Sequence, residues 1–426
     1  MTQQTLFEIA PRFVNRSTKT VTFQGKLALP IHRWYRLTPS FSPRLAVDIA
    51  HEFKLNGNDF VLDPFSGVGT VPLSMKHLGI SSCSVEINPF LHFVGTVKTR
   101  TYHDIDTVRD VIQDFSVLAE KETKRLPDEG QLERFLAENT AYVPTIHNIN
   151  RWWSPGNLMQ LVCLRRLLLA YDAPSDILDL LKMGLLAILI PASNAKHNHV
   201  SLTFAETPLE TMDIALMLRR KYEEMYDDLQ AVRNLPQAGA TVFLGNSRFL
   251  SEVLPNSRPA SAVITSPPYP NRFSYARETR PQLFFFNFIQ NAEAVGQLET
   301  DAIGGTWGRA TSVLASGIEP KNDVVQSLLT PHLGNIDVNG GLMANYVTKY
   351  FNDIFDHAEQ ISMVCGETCR LAYVIGNSKF YDHPLPSDEI LASIFQHFGF
   401  RLDRIDKMRK RQSKTGLYEA VVFMSR

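Results

Sequence analysis

Cysteine, net charge and long apolar runs are all scarce in this sequence of 426 residues. Its four cysteines are too few and too scattered for a disulfide framework, which indicates a reducing, cytoplasmic environment. A formal net charge of -1 argues against a protein that holds nucleic acid by bulk charge, but not against local basic patches. The N-terminus is too polar for a signal peptide. The most apolar run, 177–191, contains Asp179 and Lys182 and is too short to span a bilayer, so we expect no membrane partner.

Metal ligands at a recognisable spacing are also lacking. No Cys-x-x-Cys occurs, and Cys365 and Cys369 are four residues apart without a histidine nearby. His197 and His199 are close in the sequence but have no evident third ligand, which favours neutral loop histidines. We therefore expect no metal.

What the sequence does contain is the composition of an ordinary globular protein, with 44% hydrophobic and 20% charged residues. Its length suits two domains, or one α/β domain with a large insertion. From Ile105 to about residue 235, apolar residues recur at spacings of three and four, which predicts helices, among them 158–170, 175–190 and 209–235. Strands are predicted in the flanking parts, at 60–62, 82–87, 240–244, 262–264, 371–375 and 418–424.

A strand, a glycine turn and a helix are predicted in succession from residue 60. Phe60-Val61-Leu62 leads into Asp63-Pro64-Phe65-Ser66-Gly67-Val68-Gly69-Thr70, where two glycines permit a tight turn. Thr70 can cap a helix from Val71 to His77. A dinucleotide-binding fold begins similarly, but the third glycine of its fingerprint is missing here.

An acid ends the second predicted strand, in Val85-Glu86-Ile87-Asn88-Pro89. At the tip of such a strand, a carboxylate can accept two hydrogen bonds from the vicinal hydroxyls of a ribose. Glu86 is therefore the leading cofactor-binding candidate, against the alternative of an exposed acid at a strand end.

Two prolines stop the buried strand Ala262-Val263-Ile264, in the tetrapeptide Ser266-Pro267-Pro268-Tyr269. Because proline has no N–H, Ser266 Oγ and the Pro267 carbonyl form a rigid pair of acceptors, and Tyr269 adds a flat face. Acceptors beside an aromatic face suit an aromatic amine. Alone, the tetrapeptide is equally compatible with a solvated turn or a polyproline ligand.

Together these segments resemble the S-adenosylmethionine-dependent DNA amino-methyltransferases, which methylate N4 of cytosine or N6 of adenine. The matching motifs lie at 32–45, 61–70, 85–89, 265–269 and 373–378, in the roughly half of the chain that would form the core. The resemblance implies an α/β fold with a Rossmann-like, seven-stranded methyltransferase sheet and a large helical insertion. It also implies S-adenosylmethionine as cofactor, no metal and double-stranded DNA as partner, and it leaves open a cognate restriction endonuclease. The cofactor motifs precede the catalytic motif, which excludes the permuted class.

The resemblance assigns roles to particular residues. Ser266, Pro267, Pro268 and Tyr269 are the expected catalytic residues, with the acceptors holding the amino group and the tyrosine stacking on a flipped base. The expected cofactor contacts are Phe41, Asp63, Pro64, Phe65, Gly67, Gly69, Thr70, Glu86, Ile87, Asn246 and Ser247. Relatives commonly carry an acid at the position of Asn246, whose carbonyl oxygen can still accept a bond from the adenine amine.

Basic residues after the catalytic turn and near the C-terminus are candidates for DNA contacts. The expected residues are Arg272, Arg277 and Arg280, together with Lys407, Arg409, Lys410 and Arg411 from a run of five cations between 407 and 414. Exposed helix charge and a solvated loop are the respective alternatives. Trp152 and Trp153, beside Arg151 in the helical block, are more typical of packing than of base stacking.

The predicted organisation has five segments. They are an N-terminal arm with the first half of the core (1–100), a helical insertion as a candidate for DNA recognition (101–236), the catalytic part of the core (237–290), a loop-rich insertion as a candidate for DNA contact (291–342) and the C-terminal part of the core (343–426).

The target base is predicted to be cytosine, methylated at N4, because serine in the first motif position is commoner in that branch of the family. An N6-adenine enzyme, an RNA amine methyltransferase and a catalytically silent DNA-binding subunit are the alternatives. A cytosine-C5 enzyme needs a Pro-Cys nucleophile, and no cysteine here follows a proline.

Overall fold

The structure is a computed structural model that describes residues 12–13, 29–35, 37, 40, 42–196, 203–206, 209–305, 308–337, 341–410 and 416–426. Its strands are β1 (Arg12–Phe13), β2 (Phe60–Asp63), β3 (Ser81–Glu86), β4 (Ala240–Leu244), β5 (Ala260–Thr265), β6 (Cys365–Gly376), β7 (Ser378–Phe380), β8 (His383–Leu385), β9 (Arg401–Lys410) and β10 (Tyr418–Ser425).

The helices are α1 (Pro43–Glu52), α2 (Thr70–His77), α3 (Pro89–Thr99), α4 (Ile105–Thr123), α5 (Leu132–Glu138), α6 (Ile149–Trp152), α7 (Pro155–Ala170), α8 (Ser175–Ile188), α9 (Ile214–Val232), α10 (Leu250–Val253), α11 (Tyr275–Glu278), α12 (Arg280–Phe285), α13 (Ala292–Asp301), α14 (Arg309–Ala315), α15 (Asp323–Ile336), α16 (Leu342–Val364) and α17 (Ser387–His397). Short 3₁₀ turns cover His32–Trp34, Glu129–Gln131, Thr140–Tyr142 and Ser247–Phe249. In the ranges given above, no helix is both long and apolar enough to cross a membrane.

The main sheet has the strand order β9-β10-β6-β5-β2-β3-β4, and the two-residue β1 extends it beside β9. The strands from β6 to β4 pair in parallel, whereas β10 is antiparallel to both β6 and β9. The chain runs outward from β2 to β3 and β4, then returns to β5 on the other side of β2. Such a reversal of strand order leaves a ligand crevice at the carboxyl ends of the strands. The predicted Rossmann-like sheet of seven strands is thus confirmed, and its crevice lies at β2 and β5.

The two central strands are buried on both faces, as expected for parallel strands covered by helices. Val61 and Ile264 face a cluster with α1 and α2, whereas Leu62 and Val263 face the opposite cluster with α16 and α17. Parallel pairing sets Leu62 beside Val263, so β2 and β5 end near each other.

Helices α4 to α9 form the block between β3 and β4, and their apolar faces share one core with α3. The helices predicted at 158–170, 175–190 and 209–235 correspond to α7, α8 and α9 within a few residues. Trp153 is buried and donates its indole N–H to the Leu189 carbonyl at 3.0 Å. This tryptophan therefore packs, as the sequence indicated.

The expectation that 291–342 is loop-rich is wrong for the residues described there. Helices α13, α14 and α15 occupy most of them. The side chains of Asn291 and Asn322 each accept a backbone N–H and so cap the starts of α13 and α15. Glycines at 304, 305, 308 and 317 lie between helices, which is why the composition of the whole segment suggested loops.

Strand β9 was not predicted from the sequence, and Lys407, Arg409 and Lys410 of the basic run lie in it. Buried Ile405 and Met408 are three residues apart, which breaks the two-residue alternation of a strand. Irregularities in the β9–β10 pairing, between Glu419 and Ala420 and between Phe423 and Met424, account for the broken period.

A buried carboxylate fixes the segment before α1 to the helical block. Asp228 of α9 accepts hydrogen bonds from the Ile31 backbone N–H at 2.8 Å and from the Trp34 indole at 3.0 Å. The Arg33 guanidinium pairs with the same carboxylate at 2.5 Å. The block is therefore joined to the segment that resembles the N-terminal cofactor motif.

Replacing Asp228 by alanine should destabilise the protein, because it leaves buried donors on Ile31 and Trp34 without an acceptor. We expect the free energy of unfolding to fall by about 3 kcal/mol. Urea denaturation measures the loss, and Asp227→Ala, an exposed neighbour on the same helix, is the matched control. Equal losses in both variants would contradict this role for Asp228.

Candidate active site

A cavity lies at the carboxyl ends of β2, β3 and β5, where the strand order predicts a ligand crevice. Of the residues assigned from the sequence, its walls contain Pro64, Phe65, Gly67, Thr70, Glu86, Ile87, Asn246, Ser247, Ser266 and Pro268. Asp63, Gly69, Pro267 and Tyr269 belong to the same turns but are not part of the wall. Phe41 lies outside the described residues. Turns far apart in the sequence therefore meet at one site.

Glu86 ends β3 with its carboxylate at the cavity and largely buried. One of its oxygens accepts the Gly67 N–H at 2.7 Å and the other accepts the Asn88 N–H at 2.9 Å. Burial raises the pKa of Glu86 to about 7, although the two N–H groups lower it. A carboxylate oxygen can accept two bonds, so each oxygen retains a lone pair for a ligand donor.

Asp63 lies beneath the cavity rather than at its surface. Its Oδ1 accepts the Thr265 hydroxyl at 2.6 Å and the Phe65 N–H at 3.1 Å. Burial raises the pKa of this carboxyl to about 7, against the lowering effect of both donors. Asp63 thus links the end of β2 to the end of β5, and the structure does not bring it to the cavity wall where the sequence analysis expected it.

The glycine turn has a different cap from the one expected. Thr70 is the first residue of α2, and the capping position belongs to Gly69, at φ 75°. A side chain on Gly69 would also meet the backbone of α3, because its Cβ would lie 3.0 Å from Gly95 Cα. Gly69 therefore permits a close approach of two helices, while Gly67 lines the cavity and donates to Glu86.

The turn after β5 places Ser266 at the cavity wall as an acceptor. Ser266 Oγ donates its hydrogen to the Val374 carbonyl at 3.0 Å, which leaves the oxygen lone pairs for another partner. The Pro268 carbonyl accepts the Tyr350 hydroxyl at 2.7 Å. In the described part of the chain, no donor is paired with the Pro267 carbonyl.

Asn246 is partly used within the protein. Its carbonyl oxygen accepts the Arg248 N–H at 3.0 Å, and its amide nitrogen donates to the Asp301 carbonyl at 3.2 Å. The same oxygen also accepts a hydrogen bond from Arg248 Nε at 3.4 Å. The role expected for Asn246 toward an adenine amine therefore stays a prediction.

A buried histidine, which the sequence analysis did not identify, contacts residues of the cavity wall. His357 Nδ1 lies 3.1 Å from the Ser247 carbonyl and Nε2 lies 2.8 Å from the Tyr373 hydroxyl. Its ring is 4.8 Å from that of Phe65. Burial lowers the pKa of His357 to about 4, so the ring is neutral and positions the residues that it contacts.

Two further wall residues were missed because their segments carried no recognised motif. Tyr275 of α11 lines the cavity, and burial raises its pKa. Glu299 of α13 is buried and accepts the Ser274 hydroxyl. Glu299 reaches the cavity only through tertiary packing, so no local signal could identify it.

The basic residues expected to meet DNA are divided between separate places. Arg277 and Arg280 line a second cavity next to the first, whereas Arg272 lines neither. Lys407 lies in β9, with its ammonium 4.3 Å from the centre of the Tyr418 ring. Arg409 and Lys410 end the same strand, and Arg411 lies outside the described residues. The structure does not bring Lys407 together with the arginines.

Potential metal ligands do not cluster in the described ranges, where no group of three or more histidine, cysteine, aspartate or glutamate residues could hold an ion. All four cysteines are free and buried. His197 and His199 fall outside the described residues.

Comparison with known proteins identifies relatives across most of the chain. The type II methyltransferase M.BsoBI of Geobacillus stearothermophilus is 22% identical, covering 93% of this chain and 84% of the relative. The type II methyltransferase M.AvaI of Anabaena variabilis is 24% identical, covering 91% and 83%. The predicted likeness to methyltransferases is thereby confirmed, and it implies S-adenosylmethionine as the methyl donor.

Two other comparisons add less. A solved rRNA methyltransferase, aviRa from Streptomyces viridochromogenes, aligns with 97% of this chain and 94% of its own at 11% identity, with a TM-score of 0.33. No family model matches the sequence.

Alanine at the two glycines of the turn should have graded effects. Both need a left-handed backbone, which costs about 1 to 2 kcal/mol for a residue with a side chain. Gly69→Ala also places its Cβ against α3, whereas no atom lies within 4 Å of a Cβ built on Gly67. We expect Gly69→Ala to lower the urea midpoint more than Gly67→Ala, and the reverse order would contradict the close approach.

Proposed function

We propose that this chain is a site-specific DNA methyltransferase, which transfers a methyl group from S-adenosylmethionine to the exocyclic N4 of cytosine in duplex DNA. The observation that carries the proposal is the orientation of Ser266. Since its hydroxyl hydrogen is directed to the Val374 carbonyl, the oxygen can only accept a bond from a ligand, as the capture of an amino group requires. The relatives named as type II methyltransferases support DNA as the substrate. A cognate restriction endonuclease belongs to the same proposal.

The residues of the cavity fit the proposed cofactor. Glu86 offers one lone pair on each carboxylate oxygen, in the arrangement that suits two vicinal hydroxyls. Phe65, Ile87 and Leu91 supply apolar surface beside it. S-adenosylmethionine, when bound, supplies an electrophilic methyl group on a sulfonium. Glu86 would hold the ribose and the backbone of the glycine turn would face the remainder.

The acceptors would prepare the amine for reaction. The lone pair of an exocyclic amine is delocalised into its ring, so the nitrogen must approach tetrahedral geometry before it attacks a methyl group. Ser266 Oγ and the Pro267 carbonyl would each hold one N–H, directing the lone pair away from the ring plane. Tyr269, in the same turn, would stack on the base after it leaves the duplex.

The chemical identity of the product tests the proposal. Unmethylated duplex DNA is incubated with the protein and S-adenosylmethionine, digested to nucleosides and analysed by mass spectrometry, with duplex RNA in parallel. We expect N4-methylcytosine from the DNA. N6-methyladenine would overturn the base assignment, methylated RNA alone would overturn the substrate, and DNA binding without any product would indicate a silent subunit.

Two substitutions in the catalytic turn distinguish the residue that would hold the amino group from the residue that would stack on the base. Ser266→Ala should slow methyl transfer without abolishing it, because alignment in a dry pocket supplies much of the rate. Tyr269→Ala should abolish detectable product, since the flipped base loses its stacking partner. Product formation measured by mass spectrometry compares them with Ser316→Ala, an exposed serine outside both cavities. Wild-type rates in the Ser266 and Tyr269 variants would contradict the catalytic roles proposed for these residues.

Cofactor affinity should depend on pH through Glu86. Hydroxyl donors need the ionised carboxylate, and burial raises the pKa of Glu86 to about 7, so affinity should increase as the pH rises through that value. In the unliganded protein the sign is opposite. From about pH 4.5 to about 7 folded Glu86 keeps a proton that the unfolded chain has released, so the free energy of unfolding should fall across this window.

Calorimetric titration of wild type and Glu86→Gln with S-adenosylmethionine checks this behaviour. Glutamine keeps the shape but does not titrate, so the variant should bind more weakly, by about 1.5 to 3 kcal/mol for each charge-assisted bond lost. Dependence on pH that persists in the variant would report Asp63 instead, whose pKa is also about 7. Unchanged affinity would mean that the ribose site is misplaced.

A further inference from the structure

A second cavity lies where both insertions meet the helices that follow the catalytic turn. Its volume is about 520 Å³. The cavity lined by Glu86 and Ser266, which we call the catalytic cavity, has a volume of about 110 Å³. Four arginines line the second cavity, and they come from separate parts of the chain: Arg151 from α6, Arg277 from α11, Arg280 from α12 and Arg309 from α14. We call it the arginine cavity.

Positive charge dominates this cavity. Its walls also contain the carboxylates of Glu293 and Glu299, which leaves an excess of two positive charges. Arg309 and Glu293 are 4.0 Å apart and mostly exposed, an arrangement that neutralises little. Guanidinium groups stay charged at any physiological pH and match the paired oxygens of a phosphate.

An aromatic wall orients one of these arginines. The Arg151 guanidinium lies over the Phe204 ring, 4.3 Å from its centre, and Phe204 in turn packs edge-on against Trp152 at 4.9 Å. A guanidinium that stacks on a ring through its flat face keeps its N–H donors, which lie in its plane, for hydrogen bonds to a ligand. Trp152, which sequence alone indicated as a packing residue, therefore forms part of a cavity wall together with Arg151.

The arginine cavity and the catalytic cavity share a wall. Glu299 lines both of them, and it accepts the hydroxyl of Ser274, which lines the arginine cavity. The two cavities are therefore neighbours, as the binding of one polymeric ligand at both would require, whereas a small anion would fill only part of the arginine cavity.

We propose that the arginine cavity binds the phosphodiester backbone of the DNA strand that carries the target base. This inference rests on the proposed function, and it adds Arg151 and Arg309 as phosphate-binding residues supplied by the two insertions. The strand would be held at the entrance of the catalytic cavity from both sides, by the helical block and by the α13–α14 segment.

The test is the salt dependence of binding to a fluorescently labelled duplex, measured by anisotropy with the full chain. The double variant Arg151→Ala/Arg309→Ala should bind about tenfold or more weakly for each arginine at low salt. The slope of log affinity against log salt should become shallower by about two units. The control, Arg134→Ala/Arg220→Ala, removes two exposed arginines of the helical block outside both cavities and should retain the wild-type slope.

Two readouts keep this inference separate from the proposed function. Cofactor affinity and urea midpoint should match wild type in both double variants, because all four arginines are exposed.

If wild type binds duplex DNA but forms no methylated base, the proposed function fails while the salt slopes still decide the inference. Slopes that are equal in the two double variants would overturn it. Displacement of the duplex by a mononucleotide at constant ionic strength, as readily as by unlabelled DNA, would also overturn it, because the cavity would then be a nucleotide site.

Discussion

The hydrogen bond from Thr265 to Asp63 is the contact on which the arrangement of the site depends. It measures 2.6 Å, is fully buried and joins the ends of the two strands at which the strand order reverses. The same carboxylate accepts the Phe65 N–H and so starts the glycine turn. Burying a carboxyl is costly unless donors satisfy it, and here those donors come from the two turns that must lie side by side. One buried acid thus sets the glycine turn against the turn that contains Ser266.

The parts of the structure that were predictable from sequence are those governed by local chemistry. The apolar strands before Asp63-Pro64 and before Ser266-Pro267 were predictable, because buried parallel strands are short and proline ends them. The acid that ends β3, Glu86, follows from the same logic, and it does line the cavity. Thr70 shows the limit of this reasoning, since a residue suited to capping stands one position inside the helix.

What escaped prediction depends on contacts between distant segments. His357 belongs to a long amphipathic helix in which nothing marks it apart, and only packing beneath β6 sets it between Ser247 and Tyr373. Strand β9 has pairing irregularities that erase its alternation. The arginine cavity is the clearest case, because Arg151 and Arg309 are far apart in the sequence and neither lies in a recognisable motif.

The helical block is fastened to the core at two places. Asp228 holds the segment at 31–34, a few residues before Leu37 and Ser40 at the wall of the catalytic cavity. On the other side, buried Arg165 donates to the Tyr142 carbonyl at 2.7 Å and to Asn287, just after α12, at 3.3 Å. A rigid shift of the block would therefore disturb the wall that faces the proposed cofactor together with the wall that carries Arg151. Because both walls belong to one packed core, the proposed binding of the cofactor and the proposed binding of the DNA strand are linked energetically through it.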